Sequence, residues 1–307
     1  SGAEMVLSLS RAIQKLTPII EKLKPDIILS GFDIGANFAA SMIGAHMNIP
    51  VAHIEGGEVT GTIDEPIRHS ITKFSHLHFT TNKTAQSRLI KMGENPNFIF
   101  NVGNSSLDEI IKLQKISREK ISQQFKLDPK KPYMVILQHT VTSEIDSVEQ
   151  FIKETLNAVM ESNMQAIIIH GNADAGGKRI TKIIKNYNIK QFNALSFETY
   201  INLLRHSSVL LGNSSSGIME APFLKIPSIN IGTRQTGRLR QKSIIDVGYD
   251  KNQIKKAIDK SVNNKQFLNK IRLQHTPYGN GHTSEKIVKI LEKINLKEIP
   301  IQKKLMY

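Results

Sequence analysis

Between residues 50 and 69 the chain reads Pro-Val-Ala-His-Ile-Glu-Gly-Gly-Glu-Val-Thr-Gly-Thr-Ile-Asp-Glu-Pro-Ile-Arg-His. This stretch sets His53, Glu55, Glu58, Asp64, Glu65, Arg68 and His69 around Gly56, Gly57 and Gly61. Acids clustered this closely can pass protons, because neighbouring carboxylates push their pKa values apart and leave one as base, another as acid. The apolar residues 49–54 before it read as the end of a buried strand. Ile63, Ile67, Ile71 and Phe74 after it keep helical spacing. Open α/β sheets carry their chemistry at such a junction, the carboxyl end of a strand. A simpler reading makes the stretch a helix start, with Thr62 as N-cap and Glu65 completing a capping box. That accounts for Thr62 and Glu65 but for none of the other ionisable groups. Metal binding is the competing chemistry for His53, Glu55, Glu58 and His69. Their spacing fits no His-x-x-x-His or Cys/His pattern, so no metal is expected.

Three further places could do chemistry. Asp33 follows a short apolar run in Ser30-Gly31-Phe32-Asp33, where a lone acid can equally cap a turn. His139, in Leu137-Gln138-His139-Thr140, stands at the expected end of another strand. The third is Leu211-Gly212-Asn213-Ser214-Ser215-Ser216-Gly217-Ile218-Met219-Glu220, a strand running through a small polar loop towards a helix. Free N–H groups at a helix start bind phosphate, serine hydroxyls add donors, and glycines let the backbone approach a diphosphate. Glu220 could accept from ribose hydroxyls, as acids do in dinucleotide folds. Gly232-Thr233-Arg234-Gln235-Thr236-Gly237-Arg238 adds two guanidiniums able to clamp an anion.

The elements that would position these residues alternate along the chain. An amphipathic helix over 1–24 leads to a strand at 27–29, a small-residue helix at 36–47 and a strand at 49–54. A strand at 77–79, a helix at 82–92 and a strand at 98–102 follow. Residues 114–131 read as a boundary, with a domain on each side, 1–128 and 129–307. The pattern then restarts with strands at 133–138, 166–170, 209–211 and 228–231, interleaved with helices at 144–162, 178–187, 215–224 and 250–263. A last helix covers 283–294. Short loops between strands and helices predict an α/β fold of two Rossmann-like domains with parallel sheets, facing across a cleft that suits a nucleotide-linked substrate.

Composition bounds the rest. A chain of 307 residues suits about two domains, and 39% hydrophobic residues can build their cores. No apolar run approaches the ~18 residues of a membrane span, and no signal-peptide pattern opens the chain. Zero cysteines remove disulfides and thiolate metal sites and fit a reducing, cytoplasmic setting. The net charge of +14 invites a nucleic-acid reading. However, the lysines are spread over helix faces and the C-terminal tail, no tryptophan is present, and no nucleic-acid module is visible. The charge therefore reads as solubility with a bias towards anionic ligands. Neither a nucleic-acid nor a membrane partner is expected.

Taken together, His-Ile-Glu-Gly-Gly-Glu-Val-Thr-Gly-Thr-Ile-Asp-Glu-Pro-Ile-Arg-His, Gly-Asn-Ser-Ser-Ser-Gly and Gly-Thr-Arg-Gln-Thr-Gly-Arg resemble the hydrolysing UDP-N-acetylglucosamine 2-epimerases. The resemblance runs from about residue 5 to the C-terminus. It implies the GT-B arrangement of two Rossmann-like domains, no cofactor, a nucleotide-sugar substrate and a homodimer. It also implies catalytic roles for Asp33, Glu55, Glu58, Asp64 and His139. Substrate and nucleotide contacts fall on His53, Arg68, Asn172, the backbone near Leu195, Ser214, Ser215, Glu220 and Arg234. Two positions depart from the pattern: Ile34 stands where an arginine usually follows Asp33, and Thr140 replaces a proline. Relatives also carry an earlier β-α unit, so the N-terminal domain is expected to be short of it. The activity implied is conversion of UDP-N-acetylglucosamine to N-acetylmannosamine and UDP through a 2-acetamidoglucal, for sialic-acid-like sugars. A GDP- or UDP-linked diacetamido-trideoxy sugar is the variant substrate. A GT-B glycosyltransferase and a non-catalytic nucleotide-sugar-binding protein are the other classes that share these features.

Overall fold

The computed structural model describes residues 2–170 and 177–306. Two compact units make up the chain: Ser1–Asp108 with Pro277–Tyr307, and Glu109–Thr276. In chain order the first contains α1 (Gly2–Leu23), β1 (Ile28–Gly31), α2 (Gly35–His46), β2 (Val51–Ile54), α3 (Asp64–Phe74), β3 (Leu77–Thr80), α4 (Lys83–Lys91) and β4 (Ile99–Asn101). Its sheet runs β1-β2-β3-β4, every pair parallel. Parallel neighbours need a crossover, which the helices supply. All four strands therefore end on the same edge. Helix α5 (Ser106–Lys112) leads out of this unit.

After α6 (Arg118–Gln124), the second unit contains β5 (Tyr133–Leu137), α7 (Val148–Glu161), β6 (Gln165–Ile169), α8 (Gly177–Ile184), β7 (Lys190–Phe192) and α9 (Phe197–Arg205). It continues with β8 (Val209–Gly212), α10 (Glu220–Phe223), β9 (Ser228–Ile231), β10 (Ile244–Val247), α11 (Lys251–Asn263) and α12 (Lys265–Arg272). The strand order β10-β9-β8-β5-β6-β7 is again wholly parallel. From β5 the chain winds outward through β6 and β7, then restarts at β8 on the other flank of β5. This is the doubly wound order, and its direction reverses between β5 and β8. Helix α13 (Thr283–Lys293) returns to the first unit, where Ile287 joins Ala52, Leu77, Phe79 and Val102 in the core.

The expected α/β fold of two Rossmann-like domains is the observed one. Strands β1, β2, β3, β5, β6, β8 and β9 lie within two residues of their expected ends. The expected division at 128/129 differs from the compact units in two stretches: residues 109–128 group with the second unit, and 277–307 with the first. The helix expected over 215–224 is instead a 3-10 turn, Ser215–Gly217, followed by the single α turn Glu220–Phe223. Among the described residues, no helix is long and apolar enough to cross a membrane.

Candidate active site

In the first unit the carboxyl ends of the strands carry the acids. β1 runs out through Phe32 to Asp33 and β2 through Glu55 to Glu58. Phe32 and Glu55 both hold left-handed backbone angles, φ 64° and φ 66°. Non-glycine residues adopt that region at a cost, and such strain gathers at functional sites. Each is pinned by the next strand: Phe32 N–H donates to Ile54 O at 3.3 Å and Glu55 N–H to Phe79 O at 2.9 Å. Gly57 must be glycine, since at φ 81° an added Cβ would stand 2.4 Å from Ala85 O.

Each acid meets a different partner. Arg68, 2% exposed, donates to Asp33 Oδ2 and, through Nη1, to Glu58 O at 3.2 Å. Asn104 Nδ2 donates to Glu55 Oε1 at 2.8 Å. Glu58 is 2% exposed, and its Oε1 accepts from Thr81 Oγ1 and from Asn82 Nδ2 at 2.5 Å. Asp64 opens α3 and accepts from Thr62 Oγ1 at 2.8 Å. The expected capping box takes a shifted form. Ile63 is the N-cap, and Glu65 reaches past Thr62 to accept from Thr60 N–H at 2.8 Å.

His53 lies fully buried, its Nδ1 3.2 Å from Thr72 Oγ1. Burial, with His78 and Arg68 nearby, holds it well below the usual histidine range, so it is neutral. His69 pairs with Glu65 at 3.6 Å. The four residues weighed as metal donors thus each turn to partners of their own. Among the described residues no group of three or more His, Asp or Glu side chains gathers to hold a metal ion.

In the second unit the site forms at the reversal of strand order. The loop after β5 carries His139 and the loop after β8 carries Asn213, and the two are stitched together. His139 N–H donates to Asn213 Oδ1 at 2.7 Å, and Asn213 Nδ2 donates to His139 O at 2.9 Å. The loop after β9 joins them: Arg234 Nη1 and Gln235 Nε2 donate to Asn213 O at 3.2 and 2.9 Å. Burial, and secondarily the Arg234 charge, push His139 down to about 4. Its imidazole is neutral at pH 7.

Ser214 and Ser215 are half-buried, and the Ser214 hydroxyl accepts from Ser216 N–H at 3.3 Å. Ser216 Oγ lies 2.5 Å from Tyr200 Oη. Glu220 is the first residue of α10, not one turn into a helix as expected. Its Oε2 is buried with no hydrogen-bond partner among the described residues. Leu195 packs, partly buried, against the core cluster that holds Phe125, Tyr133 and Leu203. Asn172 lies outside the described residues.

The structure thus brings Asp33, Glu55, Glu58, Asp64, Arg68 and His53 together in one unit. His139, Ser214, Ser215, Glu220 and Arg234 share the other. Asn104, Asn82, Thr81, Asn213 and Tyr200 carried no assigned role in the sequence, Asn213 being visible there only within its loop motif. Position alone could have flagged the first four, each being polar and just beyond an apolar run.

Comparison with known proteins places the chain in a family. A Legionella pneumophila protein named UDP-N,N'-diacetylbacillosamine 2-epimerase (hydrolyzing) is 34% identical over 299 residues, covering 96% of this chain and 78% of its own. A Neisseria meningitidis UDP-N-acetylglucosamine 2-epimerase is 33% identical over 297 residues, covering 96% and 77%. A Campylobacter jejuni protein named GDP/UDP-N,N'-diacetylbacillosamine 2-epimerase (hydrolyzing) is 34% identical over 301 residues, covering 95% and 78%. The fold is that of the Neisseria meningitidis UDP-GlcNAc 2-epimerase crystal structure bound to UDP-GlcNAc. That match has a TM-score of 0.80 at 21% identity, over 93% of this chain and 81% of the other. With the family profile described as UDP-N-acetylglucosamine 2-epimerase matching residues 1–292, the chain belongs to that family.

Proposed function

We propose that the protein is a hydrolysing 2-epimerase of a UDP-linked 2-acetamido sugar, and that UDP-N-acetylglucosamine yields N-acetylmannosamine and UDP. The observation that carries this reading is the row of acids in the first unit, Asp33 and Glu55 just beyond strand ends and Asp64 at the start of α3, held by Arg68, Asn104 and Thr62. A glycosyltransferase has little need for such a row.

In the first step a carboxylate takes the proton from C2 while the C1–O bond breaks, giving 2-acetamidoglucal and UDP. In the second, a proton returns to C2 on the opposite face and the hydroxyl of water joins C1. Asp33 and Asp64 are assigned the proton transfers at C2, and Glu55 the water or the C1 oxygen. Glu58, buried with its oxygen held by Thr81 and Asn82, is assigned to anchoring the loop instead of the catalytic role expected of it. Neutral His139 would donate to the diphosphate or to a sugar hydroxyl. Arg234 and the Ser214 and Ser215 hydroxyls would stabilise the departing charge. Glu220 Oε2 would accept from the ribose.

A second substrate, a diacetamido-trideoxy sugar, is favoured by one observation. Phe32 and Ile34, on either side of Asp33, are 45% and 55% exposed, an apolar surface suited to a deoxygenated sugar. The names of the Legionella and Campylobacter relatives support the same variant. Separating nucleotide and sugar products from UDP-N-acetylglucosamine and from the UDP- and GDP-linked diacetamido sugars tests the assignment. Release of UDP with the free 2-epimer supports it. A 2-epimer still joined to UDP would mean a non-hydrolysing enzyme. UDP binding with every donor intact would leave a binding protein.

A further inference from the structure

We propose that Asn104 is the positioning residue for Glu55, orienting its carboxylate for reaction; this rests on the proposed role of Glu55 as a reacting group. Asn104 is 1% exposed and lies in the turn after β4, 49 residues from its partner. Both ends of its side chain are committed. The oxygen Oδ1 accepts from Ser106 N–H at 2.8 Å and from Ser106 Oγ at 2.5 Å, at the start of α5. That leaves only the NH₂ to face Glu55, and it donates to Oε1 at 2.8 Å. An amide has one acceptor and two donors, so the helix start dictates which end meets the acid.

The main chain of Asn104 is held as firmly. Its N–H donates to Tyr278 O at 2.7 Å, and its carbonyl accepts from Thr283 Oγ1 at 3.1 Å. The segment that returns to the first unit after residue 276 therefore fixes Asn104 from behind. Asn82, in the turn after β3, repeats the device for Glu58. Its Oδ1 accepts from Ala85 N–H at 2.9 Å and its Nδ2 turns to the carboxylate. Of the two, Glu55 has the strained backbone, so its side-chain direction depends on what holds it.

Asn104→Asp separates this role from a merely structural one. Aspartate caps a helix as well as asparagine does, so the Ser106 N–H keeps its acceptor. The donor to Glu55 is replaced by an oxygen, which sets two carboxylates against each other. Expected are a melting temperature lowered by the two facing carboxylates, an unchanged Kd for UDP, and a kcat lower by roughly 10²-fold, the scale of a misplaced reacting group. The acid limb of the kcat/KM profile should move to higher pH, since like charges disfavour the ionised form. Should the aspartate variant fold poorly, Asn104→Ser keeps a capping oxygen without reach to Glu55, and the same fall in kcat is expected. Glu55→Gln is measured alongside. An inactive Glu55→Gln with Asn104 variants within twofold of wild type in kcat and pH profile would overturn the positioning role alone. An active Glu55→Gln would overturn it together with the assignment of Glu55.

Discussion

Arg68 and Asp33 stand 35 residues apart in sequence and close an ion pair between α3 and the turn after β1. The arginine is buried, and its other terminal nitrogen donates to Glu58 O at 3.2 Å. One guanidinium thus ties the loops after β1 and β2 to the helix that carries Asp64. Arg68→Ala is expected to destabilise the first unit by about 2–3 kcal/mol, the loss of hydrogen bonds from a buried guanidinium to the half-buried Asp33 and to Glu58 O. Arg68→Lys is not expected to recover kcat, because a single ammonium cannot match the planar fork. Urea unfolding and turnover of both variants check this.

His139 makes stability depend on pH. Burial and Arg234 lower its pKa to about 4, whereas in the unfolded chain it returns towards 6.5. Between those values the unfolded chain binds more protons, so stability rises with pH. The contribution is complete above about pH 6.5 and is lost as pH falls towards 4, at most about 3 kcal/mol. His139→Gln should flatten the fall in urea midpoint between pH 7 and 4.5. Some slope will remain, since burial also lowers His53, His76 and His78.

The C-terminal tail braces the far end of α3. Lys303 Nζ donates to Ser75 O at 2.5 Å, Thr72 O at 3.0 Å and Lys73 O at 3.2 Å, and pairs with Glu94 Oε2 at 2.6 Å. Burial would raise Glu94, but hydrogen bonds from His78 and Lys303 and their charges draw it down to about 2. Lys303→Ala should cost about 2–3 kcal/mol, the scale of hydrogen bonds to charged groups. It should lower the melting temperature while leaving the Kd for UDP unchanged. The Glu94 contribution is present above its ordinary value of 4.5 and lost as pH falls through about 2.

Gly212 ends β8 opposite Leu137, at φ 137°. An added Cβ would stand 2.1 Å from Leu137 O, so β5 and β8 would have to part. Gly212→Ala is expected to cost about 2 kcal/mol or more and to weaken UDP binding together with stability. Calorimetric titration with UDP beside thermal melting reads both.

Sequence legibility followed burial. Central strands such as β5 and β8 are continuous apolar runs because helices cover both faces, and they stand out. β7 and β10 close the two edges of the second sheet, where Lys190, Gln191 and Asp246 are tolerated, and neither was expected. The acids were visible because ionisable residues and glycines crowd residues 53–69. What holds them was not. Asn104 and Glu55, Arg68 and Asp33, and Asn213 and His139 meet only once the parallel strands set their loops side by side, and no local spacing records that. The return of α13 to the first unit was hidden for the same reason.

In the proposed reaction a proton leaves C2 and a new one returns with water. A proton NMR time course with UDP-N-acetylglucosamine in D₂O tests it most directly. Free UDP together with N-acetylmannosamine carrying deuterium at C2 is the expected result, and Asp64→Asn should give neither product while still binding UDP. N-acetylmannosamine that retains protium at C2, or release of UDP with N-acetylglucosamine, would contradict elimination and rehydration at that carbon.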